Sequence, residues 1–319
     1  MTHYTIGVLM MAYGGPNSLD EVAPYLADIR GGRPTSPELL VEITERYRQI
    51  GGRSQILDIT RAQAAGVETA LNDAAAAAAG VRYRTYVGMR HWHPYIGEVV
   101  PQMLADGVDQ IVAIVMAPHF SRMSVGAYMG KLEKALAEQG ASVPVRKVES
   151  WKDEPAFIAA VAQRVEDALA GYPADQRTTV PVVFTAHSLP ARVLESGDPY
   201  PQELNASVAL VVERLGLSNA RFAFQSQGAT ADPWLGPTVE ETLEALAAEG
   251  AMQVLLVPIG FVCDHVEVLF DVDIEHKHQA AELGIELRRT AMLNASQGLV
   301  DAVASAVRRA AAIPTPAGG

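Results

Sequence analysis

Two short stretches decide how this chain folds: MMAYGGP at residues 10–16 and FTAHSLP at residues 184–190. Both carry Ala-x-x-x-Pro directly after an apolar run, so Tyr13 and His187 stand at matching positions just beyond a strand. A second pair repeats downstream, where ADGVDQIVAIV at 105–115 and AEGAMQVLLV at 248–257 share Gly-x-x-Gln ahead of another apolar run. The chain therefore reads as two similar halves joined near residues 145–180, with domains expected at 1–150 and 151–319.

Around these anchors, apolar runs at 6–12, 83–88, 110–117, 180–185, 222–226 and 253–259 alternate with longer amphipathic stretches rich in Ala and Glu. Short continuous apolar runs are strands buried on both faces, and the stretches between them are crossover helices. The fold class is therefore α/β, doubly wound, with parallel sheets. Ligands of such sheets lie beyond the carboxyl ends of the strands, so Tyr13 and His187 are expected to face one cleft. The halves differ in length: 98 positions separate Ala12 from Gln110 but 67 separate Ala186 from Gln253, leaving about 31 extra residues in the first half. The segment 30–61 is the expected insertion and should reach the same cleft. The Pro- and Gly-rich end at 313–319 is expected to fray.

Composition narrows the function classes. With 49% hydrophobic and 19% charged residues the chain can bury a core. Its longest apolar stretch, residues 6–16, falls short of the roughly 18 residues of a spanning helix, and no basic region precedes a secretory-type segment. A net charge of −12 argues against nucleic acid, which needs clustered cations. A single cysteine, Cys263, cannot supply the ligands of an iron–sulfur cluster. A cytoplasmic enzyme is expected.

His187 can accept a proton or bind a divalent metal near neutral pH, although a lone strand-end histidine is more often structural. The segment GFVCDHVEVLFDVDIEHK, residues 260–277, shifts the balance. Glu267, Asp271 and Glu275 recur every fourth residue, which stacks three carboxylates on one face of a helix. Such a row is either a solvated face or a site for cations; imidazole with carboxylate suits a transition metal better than Ca²⁺. Two or three ligands make a poor permanent site but a reasonable transfer site. Other signals read as bland: His276 and His278 are expected at the surface, Cys263 in the core, and Gly14-Gly15 lacks the rest of a dinucleotide fingerprint.

The fragments MAYGGP, YRQIGGRS, APHFS, ESWKDEPAF, TAHSLP, GDPYP, DPWLGP and GFVCDHVEVL together resemble the ferrochelatases, and among them the clusterless coproporphyrin ferrochelatases of Gram-positive-type bacteria. The resemblance implies two Rossmann-like domains with a porphyrin between them, Fe²⁺ as a substrate, no prosthetic group and no iron–sulfur cluster. It implies that His187 and Glu267 are the catalytic pair, that Asp271 and Glu275 continue an acidic path for iron, and that Tyr13 faces the metal from the other side of the macrocycle. Arg30, Arg46, Tyr47, Ser54 and Tyr128 fall on positions that contact the porphyrin. Two positions depart from the family: Gln55 follows Ser54 where Pro is common, and Arg90 stands where relatives have Lys.

Coproporphyrin III, with four propionates, is the expected porphyrin. Residues 30–61 hold six arginines against four acids on an otherwise acidic chain, and Tyr13 resembles the coproporphyrin branch. The alternatives are protoporphyrin IX, another metal such as cobalt, or a tetrapyrrole carrier without catalysis. A monomer in transient contact with the next enzyme of haem synthesis is expected.

Overall fold

The computed structural model describes residues 4–228 and 232–312, so the expected frayed tail lies outside the described residues. The first half begins with β1 (Tyr4–Ala12), whose last seven residues are all buried. Three helices come next, α1 (Val22–Ile29), α2 (Pro37–Gln49) and α3 (Ile56–Leu71), with a short α4 (Ala74–Ala78) leading into β2 (Val81–Met89). Then come α5 (Ile96–Ala105), β3 (Gln110–Val115), a π-helical turn at Arg122–Gly126 that runs into α6 (Ala127–Glu138), and β4 (Val145–Val148). The strands pair in parallel in the order β2-β1-β3-β4.

A long helix, α7 (Pro155–Ala170), carries the chain to β5 (Val182–His187). After it come α8 (Arg192–Glu195), α9 (Tyr200–Leu215), β6 (Ala220–Gln225), α10 (Val239–Ala248) and β7 (Gln253–Val257). The rest is α11 (Val266–Leu269), a π-helical turn at Asp271–His276, α12 (Lys277–Glu282), β8 (Glu286–Arg289) and α13 (Gln297–Ala310). The order β6-β5-β7-β8 repeats that of the first sheet, and every pairing is again parallel. The two halves are thus similar doubly wound units, and their third strands both feed a π-helical turn.

Two of the four edge strands, VRKV at β4 and ELRR at β8, are absent from the apolar pattern because they carry charge. Charged side chains are what an open sheet edge needs to avoid pairing with another chain. The extra elements of the first half begin before residue 30 and end before residue 50. They are α1 and α2, which form their own small core of Val22, Tyr25, Leu26, Tyr47 and Trp92. By contrast α3 buries Ile56, Thr60, Ala64, Val67 and Leu71 at helical spacing and packs on β1 and β2, so it is the ordinary crossover helix.

One continuous core joins the halves. Ile6, Val8 and Met10 of β1, Phe157 and Val161 of α7, Phe184 of β5 and the inner face of α13 belong to a single cluster. Each such fully buried side chain contributes about 1.5–3 kcal/mol. Polar clamps add to it at the carboxyl ends of the sheets: Phe120 N–H donates to Glu203 at 3.0 Å, Ser121 Oγ–H to Asp198 at 3.1 Å, and His119 Nε2–H to Ser207 at 2.9 Å. Among the described residues no helix is long and apolar enough to cross a membrane.

Candidate active site

The carboxyl ends of β1, β3, β5 and β7 meet at one cleft, roofed by α1 and α2. Its main chamber, about 350 Å³, is lined by Tyr13, Ser54, Arg90, Tyr128, His187 and Glu267 among others. A second arm of about 680 Å³ opens beside it and shares Tyr13, Tyr47, His187 and Glu267 with the chamber. Glu42, Arg46, Asp271, Glu275 and His276 line this arm.

On the first-half side the turn after β1 is tightly specified. Gly14 has φ +92°, and its carbonyl accepts from the Tyr25 hydroxyl at 3.1 Å. A Cβ on Gly15 would lie 2.5 Å from Ser54, so only glycine lets Ser54 seat here, where its N–H donates to Pro16 O at 2.8 Å. Tyr13 projects from this turn, 39% exposed, with its ring 4.8 Å from that of His91. The walls around its hydroxyl, and then Glu267, push its phenol up to about 12. It is a neutral group at any working pH.

The opposite wall is charged. His187 ends β5, and its carbonyl accepts from the Tyr200 hydroxyl at 3.0 Å. Gly260 passes so close behind it that a Cβ would lie 2.4 Å from Ala186, which brings the loop 260–267 up against the strand end. His187 Nδ1 then lies 3.1 Å from Glu267 Oε2, but off the hydrogen-bond axis, so Nδ1 is buried without an aligned partner. Burial alone would depress the His187 pKa; Glu267 outweighs it and raises it. Burial likewise works against ionised Glu267, yet His187 and His265 hold it well below the usual carboxylate range.

His265 completes this group. Its Nδ1–H donates to Cys263 O at 2.9 Å, which leaves Nε2 facing Glu267 Oε2 at 3.9 Å. From Glu267 the acids continue outward, though not on a regular α-helix. The Glu275 N–H donates to Phe270 O, five residues back, at 3.1 Å. In an α-helix a four-residue step overshoots one turn by about 40°, and the wider turn offsets that drift. Asp271 is pushed up to about 6 by burial and then by Glu267, with Ser226 and Arg46 acting the other way. Glu275 is half exposed at the mouth.

A family model for ferrochelatase matches residues 5–311. The chain belongs to the ferrochelatase family. It is 44% identical over 300 residues to a ferrochelatase of Herpetosiphon aurantiacus, covering 94% of this chain and 97% of that one. It is 40% identical over 310 residues to a coproporphyrin III ferrochelatase of Halalkalibacterium halodurans, covering 97% and 98%. Among solved structures it superposes on SirB from Bacillus subtilis with Fe³⁺ at a TM-score of 0.61, 11% identity and coverage of 97% and 96%, a likeness of fold. Iron and a porphyrin are the substrates of this family.

For a ferrochelatase the placement of the expected residues is informative. Tyr13, Tyr47, Ser54, Tyr128, His187 and Glu267 share the chamber, and Asp271 and Glu275 the arm. Arg46 does not face the chamber: its guanidinium reaches Glu42 at 3.0 Å, Glu275 at 3.3 Å and Asp271 at 3.4 Å, over the ring of Phe270. Arg30 lies outside both, its Nε donating to Pro34 O at 3.3 Å. His276, expected at the surface, is 4% exposed because the π turn rotates it inward, whereas the side chain of His278 is 77% exposed. Two residues were not singled out as site residues. His265 stands two positions before Glu267, a spacing that marks it only once the loop is known. Arg90 sits on the chamber wall over Tyr128, with Nε buried and unpaired and, among the described residues, no ion pair to a carboxylate.

Proposed function

We propose that this ferrochelatase inserts Fe²⁺ into coproporphyrin III, gripping the macrocycle between Tyr13 and the His187–Glu267 pair. The observation that carries the substrate reading is Arg90, a cation on the chamber wall with no acidic partner among the described residues, suited to a propionate. The basic segment contributes less than its composition suggests. Arg46 is spent on the acidic row, Arg48 pairs with Glu45 and Arg53 with Asp58 at 2.8 Å. Arg30 and Arg33, whose Nε atoms are satisfied by main-chain carbonyls, remain for the rim. A relative named for coproporphyrin III at 40% identity supports the same choice.

Metallation replaces two pyrrole N–H protons by iron. His187, its basicity raised by Glu267, takes the two protons in turn as imidazolium, releasing the first to solvent in the cleft before it takes the second, while Glu267 remains ionised and meets the metal; the two act as one unit. Iron arrives along Glu275 and Asp271. Tyr13, a neutral phenol, bounds the far face, and edge contacts supply the binding energy that distorts the ring. The enzyme works as a cytoplasmic monomer without a prosthetic group, and its single cysteine supports the lack of an iron–sulfur cluster. Steady-state kinetics in one detergent-matched buffer test the substrate. We expect kcat/KM for coproporphyrin III to exceed that for protoporphyrin IX by at least about tenfold, the effect of one or two charge-assisted contacts. Equal or reversed preference rejects the substrate and leaves iron insertion standing.

A further inference from the structure

We propose that Gln225 is the positioning residue that sets the distance between His187 and Glu267. The pair needs one. Nδ1 of His187 lies 3.1 Å from the carboxylate without an aligned hydrogen bond, so nothing within the pair fixes its geometry. Gln225 is the last residue of β6 and the register partner of His187 across β5 and β6. Its main-chain carbonyl accepts the Ser188 N–H at 2.7 Å, tying its backbone to the residue next to His187.

The side chain turns toward the acid. Nε2 donates to the main-chain carbonyl of Glu267 at 2.7 Å and reaches Ser226 Oγ at 3.3 Å, while Oε1 accepts from Thr185 Oγ1 at 2.7 Å. The amide has a single sensible orientation. The Glu267 carbonyl has no proton to offer, so nitrogen must face it, and the Thr185 hydroxyl turns to donate to the oxygen. Ser226 is held at φ +59° and donates its hydroxyl to Asp271. One dipeptide therefore contacts the chain beside His187, the backbone of Glu267 and the carboxylate of Asp271.

Gln225 is 1% exposed, and every polar end of its side chain is satisfied. A buried amide costs stability unless its bonds are made, and an apolar side chain would fill the space without bridging the two loops. With so little surface open, Gln225 acts through the pair and not on substrate.

The inference rests on the reading of His187 and Glu267 as the proton- and metal-handling pair, so the test carries controls for that reading. Gln225→Met is assayed for anaerobic Fe²⁺ insertion beside His187→Ala and Glu267→Gln. The expected result is a kcat at least about tenfold below wild type, with the KM for porphyrin within about twofold, since a displacement near 1 Å costs up to about a hundredfold in rate. Wild-type kcat in Gln225→Met, or a porphyrin KM that rises in step with the loss, overturns the proposal. If Gln225→Met does not fold, Thr185→Val frees the oxygen end of the amide, and a folded Thr185→Val with wild-type kcat overturns it equally. Inactive controls beside a normal Gln225→Met remove the positioning role alone; fully active controls remove the pair and the proposal together.

Discussion

The ends of β1 and β5 occupy the same place in two sheets of matching strand order, yet one presents a neutral phenol and the other an imidazole set against a carboxylate. The strands themselves do not make the difference. It comes from the segments beyond the third strand of each half. Beyond β3 the chain enters its π turn with Ser121 and Arg122 bound to Asp198 of the other half, and presents Tyr128 to the chamber. Beyond β7 the corresponding segment delivers His265, Glu267, Asp271 and Glu275. Under the proposed function, this repeated scaffold offers one face to receive a flat ligand and one to handle protons and cations. Chemistry entered through the crossover loops, which is where α/β proteins place their sites.

The contrast is broken most severely at the two strand ends. His187→Ala should lower iron insertion by about 10²-fold to 10⁴-fold while porphyrin still binds, because the edge contacts do not involve the imidazole. Tyr13→Phe, which keeps the ring and removes a phenol that never ionises, should cost less than about tenfold. Anaerobic turnover and porphyrin fluorescence quenching on both variants measure this; equal losses at the two positions erase the asymmetry. A smaller effect lies at the mouth of the acidic arm. Glu275→Gln should raise the apparent KM for Fe²⁺ severalfold with little change in kcat, because an outer carboxylate acts on capture. Smaller still is the pH response of the same arm. Asp271, held near 6, is neutral below that value and anionic above it, so the KM for Fe²⁺ should rise as pH falls through about 6. Asp271→Asn should flatten that rise, and an unchanged profile removes Asp271 from the path.

Much of this architecture is legible in the sequence because burial on both faces leaves a simple mark. Six of the eight strands show as apolar runs, and the shared turns after β1 and β5 expose the repeat. The other two, VRKV at β4 and ELRR at β8, leave no such mark, since the charges that guard the sheet edge there interrupt the apolar run. The acidic row shows as a period of four, but its winding does not, because a π turn is specified by packing and not by residue type. Arg90 and Gln225 share a different obscurity. Each matters through a contact across the chain, such as Gln225 with Glu267 42 residues away, and no local spacing records it. Arg46 shows the converse: a basic residue in a basic segment that the fold turns toward three acids.

A porphyrin held between Tyr13 on one side and His187 with Glu267 on the other is the arrangement on which all of these effects depend. A crystal structure of the His187→Ala variant with coproporphyrin III bound puts it to the sharpest test. The expected result is the macrocycle inside the chamber, its Tyr13 face opposite its Glu267 face, with a propionate at Arg90. A macrocycle seated outside the chamber, or with Tyr13 and Glu267 on the same face, would contradict it.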